Sequence, residues 1–160
     1  MDIQIDSREH AKAIERILDE FNKRNVIYDI SKLIVGDYMS FDKPRLIIDR
    51  KQNLSEVYSN LCPNKKSNPK DSNGDLRIDR EIRKANRLGI KIIFLVEHGG
   101  KIKCMDDVRL WENPRLKKTP YAWDGNKLYN EIVLFSKKHN VEFMFCDKRN
   151  TGKRILELLS

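Results

Sequence analysis

The chain reads as one α/β domain, a three-layer α/β/α sandwich around a mixed central sheet, and three observations carry that reading. Apolar runs of strand length alternate with stretches of helical periodicity, the pattern of α/β proteins. Residues 26–51 hold strand-like runs separated by turns with no helix between them, which predicts an antiparallel meander within the sheet. The length, 160 residues, is that of a single domain with one proper core, so residues 1–160 are taken as one unit.

The elements follow in order. Asp2-Ile3-Gln4-Ile5-Asp6 alternates as a short strand does. From Glu9, Ala11, Ile14, Ile17, Leu18 and Phe21 mark the apolar face of a helix. Val26–Ile30 has the β-branched and aromatic content of a second strand. Gly36-Asp37 turns the chain into Tyr38–Phe41, Asp42-Lys43-Pro44 turns it again, and Arg45–Lys51 reads as a central strand. Leu54–Leu61 is a short helix. Residues 62–75 carry two prolines, one glycine and almost nothing apolar, and read as a flexible basic loop with Lys65, Lys66 and Lys70. The next helix aligns Ile78, Ile82 and Ala85 and stops at Gly89. Ile90–Val96 is nearly all apolar, as expected of a strand buried on both faces. Residues 99–125 are irregular. A helix over Asn126–Asn140 places Leu128, Ile132 and Phe135 inward, Val141–Cys146 is a strand, and Thr151–Leu159 is a closing helix.

Composition narrows the function classes. Lys plus Arg number 32 against 24 for Asp plus Glu, a net charge of +8, which favours a polyanionic partner such as nucleic acid. No run approaches the roughly 20 apolar residues of a membrane span, and acids at positions 2, 6 and 9 interrupt any leader. Cys62, Cys104 and Cys146 are widely spaced, so neither a zinc site nor a disulfide framework is supported. A cytoplasmic protein is expected. There is no phosphate-binding G-x-x-x-x-G-K-[ST] loop and no G-x-S-x-G nucleophile elbow. The histidines, His10, His98 and His139, lack metal-ligand spacing.

The chemistry-bearing pattern is Gly36-Asp37 followed by Asp49-Arg50-Lys51 at the end of an apolar run. In a strand Asp49 and Lys51 share one face and Arg50 takes the other. Asp37, in the preceding turn, is able to fold back beside them. Two carboxylates and a lysine in one small volume suit a divalent cation that activates water on a phosphodiester, with the lysine near the scissile phosphate. Read alone, Gly-Asp is also a plain turn and Asp-x-Lys an exposed strand end. Asp6-Ser7-Arg8-Glu9 opens the first helix. The structural readings are that Asp6 caps that helix or that Arg8 pairs with an acid, and spacing alone favours the cap; Glu9 on the helix's first turn would offer a third carboxylate. Arg77, Arg80, Lys84 and Arg87 make a basic strip, which is a solvated face or, beside such a site, a backbone-contact surface.

Taken in order, Ile5-Asp6-Ser7-Arg8-Glu9, Leu33–Tyr38 and Ile48-Asp49-Arg50-Lys51 resemble the nuclease domain of the XPF/Hef structure-specific DNA endonucleases. That family's signature is D-x-R-E, V-G-D-Y, then E-R-K-x-x-x-D. Leu76–Glu81 is similar to its G-R-L-x-x-Q stretch and Ile92–Glu97 to its L-L-I-E strand, so the likeness spans nearly the whole chain. The resemblance implies a restriction-endonuclease-like fold and a Mg²⁺-dependent endonuclease, with Mn²⁺ able to substitute, acting on branched or flapped DNA. It implies Asp37 and Asp49 as metal ligands, Glu9 as a further acid, Lys51 as the catalytic lysine and Arg50 as an important neighbour. Arg8 and Arg77, with Arg80 and Lys84 of the strip, would contact DNA.

Three positions depart from the signature. Asp49 stands for the usual glutamate, Ser55 takes the last acidic position with Glu56 one place late, and Glu81 stands where glutamine is common. Neither a tandem helix-hairpin-helix module nor a helicase domain is present in these residues, as in small stand-alone versions from bacteria and phages. A homodimer through the two C-terminal helices is expected, as the family's nuclease domains pair that way. A catalytically silent DNA-binding scaffold is the alternative, and RNA stays open as a substrate.

Overall fold

A computed structural model describes residues 1–160. In chain order it has β1 (Asp2–Asp6), α1 (Ala11–Lys23), β2 (Ile27–Ser31), β3 (Tyr38–Ser40), β4 (Leu46–Lys51), α2 (Leu54–Leu61) and α3 (Arg77–Arg87). β5 (Lys91–Glu97), α4 (Gly125–His139), β6 (Glu142–Cys146) and α5 (Thr151–Leu159) complete it. Short 3₁₀ turns at Met105–Leu110 and Pro114–Lys117 account for part of the irregular segment between β5 and α4. No helix is long and apolar enough to cross a membrane.

The six strands form one sheet in the order β2-β1-β3-β4-β5-β6, with β3 antiparallel to both its neighbours and the other pairs parallel. Alternation along β4 divides the core. Ile48 joins Ile3, Ile5, Ile93 and Leu95 under α1 and α5, while Ile47 joins Ile92, Phe94 and Val96 under α2, α3 and α4. This is the three-layer α/β/α sandwich with the mixed sheet that the sequence predicts.

The meander over residues 26–51 is not formed. β2 pairs with β1, and only β3 and β4 make a hairpin. The chain leaves β2, crosses the end of β1 and re-enters the sheet on β1's other side. Buried Asp6 pins that crossing: its carboxylate accepts from Leu33 N at 2.7 Å, and its own N–H donates to Asp37 O at 2.8 Å. Asp6 therefore does not cap α1, which begins at Ala11 with no side-chain cap, and Glu9 lies before the helix rather than on its first turn. Arg8 is Asp6's partner, at 2.7 Å.

The apolar faces of the two C-terminal helices cover the sheet. Leu128, Ile132 and Phe135 of α4 and Ile155, Leu156 and Leu159 of α5 are all buried within the protomer. The 62–75 loop is tied to α2 by Asn68, whose amide donates to the carbonyls of Ser59, Asn60 and Cys62.

Candidate active site

Gly36 is where the site begins. It has φ of +66°, and a Cβ there would overlap Ile47 Cγ2 on β4. Only glycine lets the loop lie this close to β4, and the approach delivers Asp37 against that strand. Asp37 N donates to Ile48 O at 2.9 Å, and Asp37 Oδ2 accepts from Arg50 N at 2.7 Å.

β4 then presents its last three residues as strand alternation requires. Asp49 and Lys51 share a face and pair at 2.7 Å, with the ammonium 5.5 Å from the centre of the Phe94 ring. Arg50 points to the opposite face. Its buried guanidinium donates to Glu9 at 2.8 Å and to Glu97 at 3.2 Å, and the Tyr38 hydroxyl donates to the same Glu9 oxygen at 3.0 Å. The structure thus brings Asp37, Asp49 and Lys51 together as predicted. Glu9, also in the group, is held by Arg50 and Tyr38. Arg50 reaches Asp37 through its backbone amide.

The electrostatics of this group are strained. Burial, then the nearby Asp49 and Glu9 carboxylates, push the Asp37 carboxyl well above its ordinary range. Burial also raises Asp49, and Lys51 pulls it back only in part. Lys51 itself is raised: burial disfavours its charge, but Asp49 more than offsets that, so it stays protonated. When all are ionised, four carboxylates (Glu9, Asp37, Asp49, Glu97) face two cations (Arg50, Lys51), leaving a −2 charge uncompensated.

That surplus fits one divalent cation. The side chains as they stand do not converge three at a time on a single point. Mg²⁺, however, is commonly held by one or two carboxylates, its remaining positions filled by water and substrate phosphate. Asp37 and Asp49, both lining one cleft of about 350 Å³, are the residues that would hold it.

The rim of that cleft carries the expected cations in part. Arg8, Arg77 and Lys84 line it, and Arg77 pairs with Glu81 at 2.9 Å. Arg80 instead turns away to the 62–75 loop, bonding Asp71 and the Asp75 carbonyl, and Arg83 joins it on Asp75. The basic strip is split: Arg77 and Lys84 face the cleft, while Arg80 clamps a loop. Glu56, one place beyond Ser55, also lines the cleft, but it closes the start of α2 by accepting from Gln52 N at 2.7 Å. Two participants had no site role in the sequence reading. Glu97 is an acid closing the apolar run Ile92–Val96, and that oddity was the available signal. Glu81 lies four residues after Arg77 and shares its rim.

Comparison with known proteins bears on the family and the fold. A family model described as the ERCC4 domain matches residues 5–159. Among solved structures the chain is similar to XPF from Aeropyrum pernix, with a TM-score of 0.64 and 18% identity over 99% of this chain. That likeness is one of fold, and the chain spans 63% of the length of that protein's chain. No curated protein matches it.

Proposed function

This chain belongs to the ERCC4 domain family, that of the XPF-type nucleases, and from that premise we propose that it is a divalent-cation-dependent endonuclease acting on branched or flapped DNA. The observation that carries the proposal is the placement of Asp37, Asp49 and Lys51 in one cleft, where burial and neighbouring acids disfavour the Asp37 charge, beneath a rim of Arg8, Arg77 and Lys84.

Asp37 and Asp49 would hold the ion, Mg²⁺ with Mn²⁺ as substitute, which when bound polarises the phosphodiester and acidifies an attacking water. The Arg50 N–H fixes the rotamer of Asp37, and its single positive charge, shared between Glu9 and Glu97, offsets one of those two carboxylates. Lys51, kept charged by Asp49, offsets the negative charge that develops on the phosphate as water attacks. The rim cations take the flanking backbone. Products with 5′-phosphate and 3′-hydroxyl ends are expected.

The test is cleavage of labelled flap, fork, Holliday-junction and linear duplex DNA, with and without Mg²⁺. Cutting of the branched forms in Mg²⁺ alone supports the proposal, and no cutting of any of them at high enzyme contradicts it. A silent scaffold on the same fold is the second reading, and it would show no calorimetric Mg²⁺ or Mn²⁺ binding. An RNA strand in the same panel reads out polymer preference. The homodimer remains part of the proposal, but its contact has to use surface other than the sheet-facing residues of α4 and α5. Leu134, 61% exposed on α4, is the available apolar position there.

A further inference from the structure

The segment between β5 and α4 takes no part in the site, yet its middle is built with care. Asn113–Trp123 is a closed loop. Buried Asn113 shuts it: the side-chain amide donates to Trp123 O at 2.8 Å, and Oδ1 accepts from Arg115 N at 3.0 Å. Within the loop, Leu116, Lys118, Thr119 and Ala122 each donate a backbone N–H to a carbonyl of the same segment. A compact loop whose ends meet in this way is an Ω-loop, a form that frequently carries function.

Its base is fixed to the elements that frame the cleft. Trp111 and Trp123 flank the Tyr58 ring of α2, with ring centres 6.1 and 5.6 Å away, and the Arg115 guanidinium lies 5.6 Å from the centre of that ring. Behind the loop, Gly125 opens α4 so close to the carbonyls of Val108, Arg109 and Trp111 that a Cβ would come within 2.8 Å of each. α2 in turn follows directly on the end of β4 that carries Asp49 and Lys51. The loop and the catalytic strand end are thus held in one frame.

What the loop presents is all surface. Every residue from Pro114 to Tyr121 is exposed, Tyr121 to 93%, so this stretch adds nothing to the core. No acid lies between Asn113 and Trp123. Arg115, Lys117 and Lys118 make no ion pair, whereas Arg77 on α3 and Lys127 on α4 are each held by an acid one turn on. A run of cations is commonly a mere solvated face. Here the chain is ordered at an entropic cost that no buried side chain in Pro114–Tyr121 returns, and its charge is left unmatched, so the return comes from an anionic partner. Lys117, Lys118, Thr119 and Tyr121 are all side chains of the types that bond phosphate oxygens. Arg115 and Arg77 border the same hollow beside the cleft, so the loop carries the positive rim of the cleft onward.

We propose that the Asn113–Trp123 loop is a second DNA contact, outside the cleft, that grips the phosphate backbone of one duplex arm of the substrate. Its contacts go to phosphates and carry no sequence preference. The inference rests on the nuclease reading and adds to it where the duplex is held.

The experiment measures flap binding by fluorescence anisotropy in EDTA across a salt series, and kcat and KM in Mg²⁺. The proteins are wild type, the double variant Lys117→Ala/Lys118→Ala, and Lys23→Ala on α1 as a control cation in the opposite layer. Both loop lysines are exposed, so the double variant keeps its fold. Each phosphate contact contributes about 0.9 to the slope of log affinity against log salt, so the double variant should lose about 2 from that slope. It should bind on the order of tenfold more weakly at 0.15 M salt, with KM raised and kcat unchanged. Shortening one particular duplex arm of the flap should cost the wild type a similar factor and leave the double variant unaffected. Lys23→Ala should match wild type throughout. A double variant with the wild-type slope, a Lys23→Ala loss as large as its own, or equal sensitivity of both proteins to every shortened arm overturns the loop contact alone. A wild type that neither binds nor cuts any flap overturns the nuclease reading and the loop contact with it.

Discussion

Gly36→Ala is the sharpest perturbation of the geometry that builds the site. A non-glycine residue held at φ of +66° costs about 1–2 kcal/mol. The added Cβ also overlaps Ile47 Cγ2 and sits 3.3 Å from Ile48 O, and relieving such overpacking costs about 1–3 kcal/mol more. The sum, roughly 2–5 kcal/mol, is a large part of the stability of an ordinary domain and predicts a fall in Tm on the order of 10 °C. Because the loop must retreat from β4, Asp37 moves with it. A displacement of about 1 Å at a reacting centre is enough for a hundredfold loss in rate. Thermal unfolding followed by circular dichroism, with single-turnover cleavage at a temperature where the variant is folded, measures both effects. Ile47→Ala removes the obstructing methyl, so the double variant should lose less than the two single losses combined. A Gly36→Ala protein that melts within 2 °C of wild type, roughly half a kcal/mol, and cuts at the wild-type rate would refute the reasoning.

Three further outcomes follow from the same structure. Asp37→Asn keeps an acceptor for Arg50 N but removes a charge that burial, Asp49 and Glu9 oppose, so in EDTA its Tm should rise by about 2–6 °C while metal binding is lost; an unchanged or lower Tm in EDTA contradicts this. Burial pushes Asp79 up, but hydrogen bonds from His139, Leu76 N and Lys138 outweigh it and hold the carboxyl below its ordinary value. That stabilisation is present above the unfolded carboxyl's pKa near 4 and is lost as pH falls through the lower folded value, so His139→Leu should flatten the loss of urea stability between about pH 5 and pH 2.5; parallel curves for the two proteins would count against it. Light scattering should give a dimer mass for the wild type and a monomer mass for Leu134→Glu, and monomer in both removes the dimer.

The layered fold was legible because its signals are local: the apolar run Ile92–Val96 of β5, the α3 face of Ile78, Ile82 and Ala85, and the stop at Gly89 are each read from neighbouring residues. The strand order was not. β2 carries the same residue types whether it pairs with β1 or β3, and the choice is made by the buried carboxylate of Asp6 reaching Leu33, a contact between residues far apart in sequence. An aspartate ahead of a helix has the pattern of a cap, and nothing in that pattern reveals the crossing strand. The acids and lysine of the site were legible because strand alternation alone sets Asp49 and Lys51 side by side. The engagement of Glu9 by Arg50, and of Arg50 by Glu97, was hidden for the same reason as β2: each partner lies on a different element.

The most direct measurement of the central claim is single-turnover cleavage of one flap substrate by wild type, Asp49→Asn and Lys51→Ala, each across a Mg²⁺ titration from zero to millimolar. The account predicts a wild-type rate that rises from nothing with Mg²⁺ and saturates. Asp49→Asn should be reduced at least about a hundredfold at every concentration, and Lys51→Ala should be as slow while binding the flap as tightly as wild type. Cleavage by wild type in EDTA, or wild-type rates from Asp49→Asn, would contradict the assignment of the site.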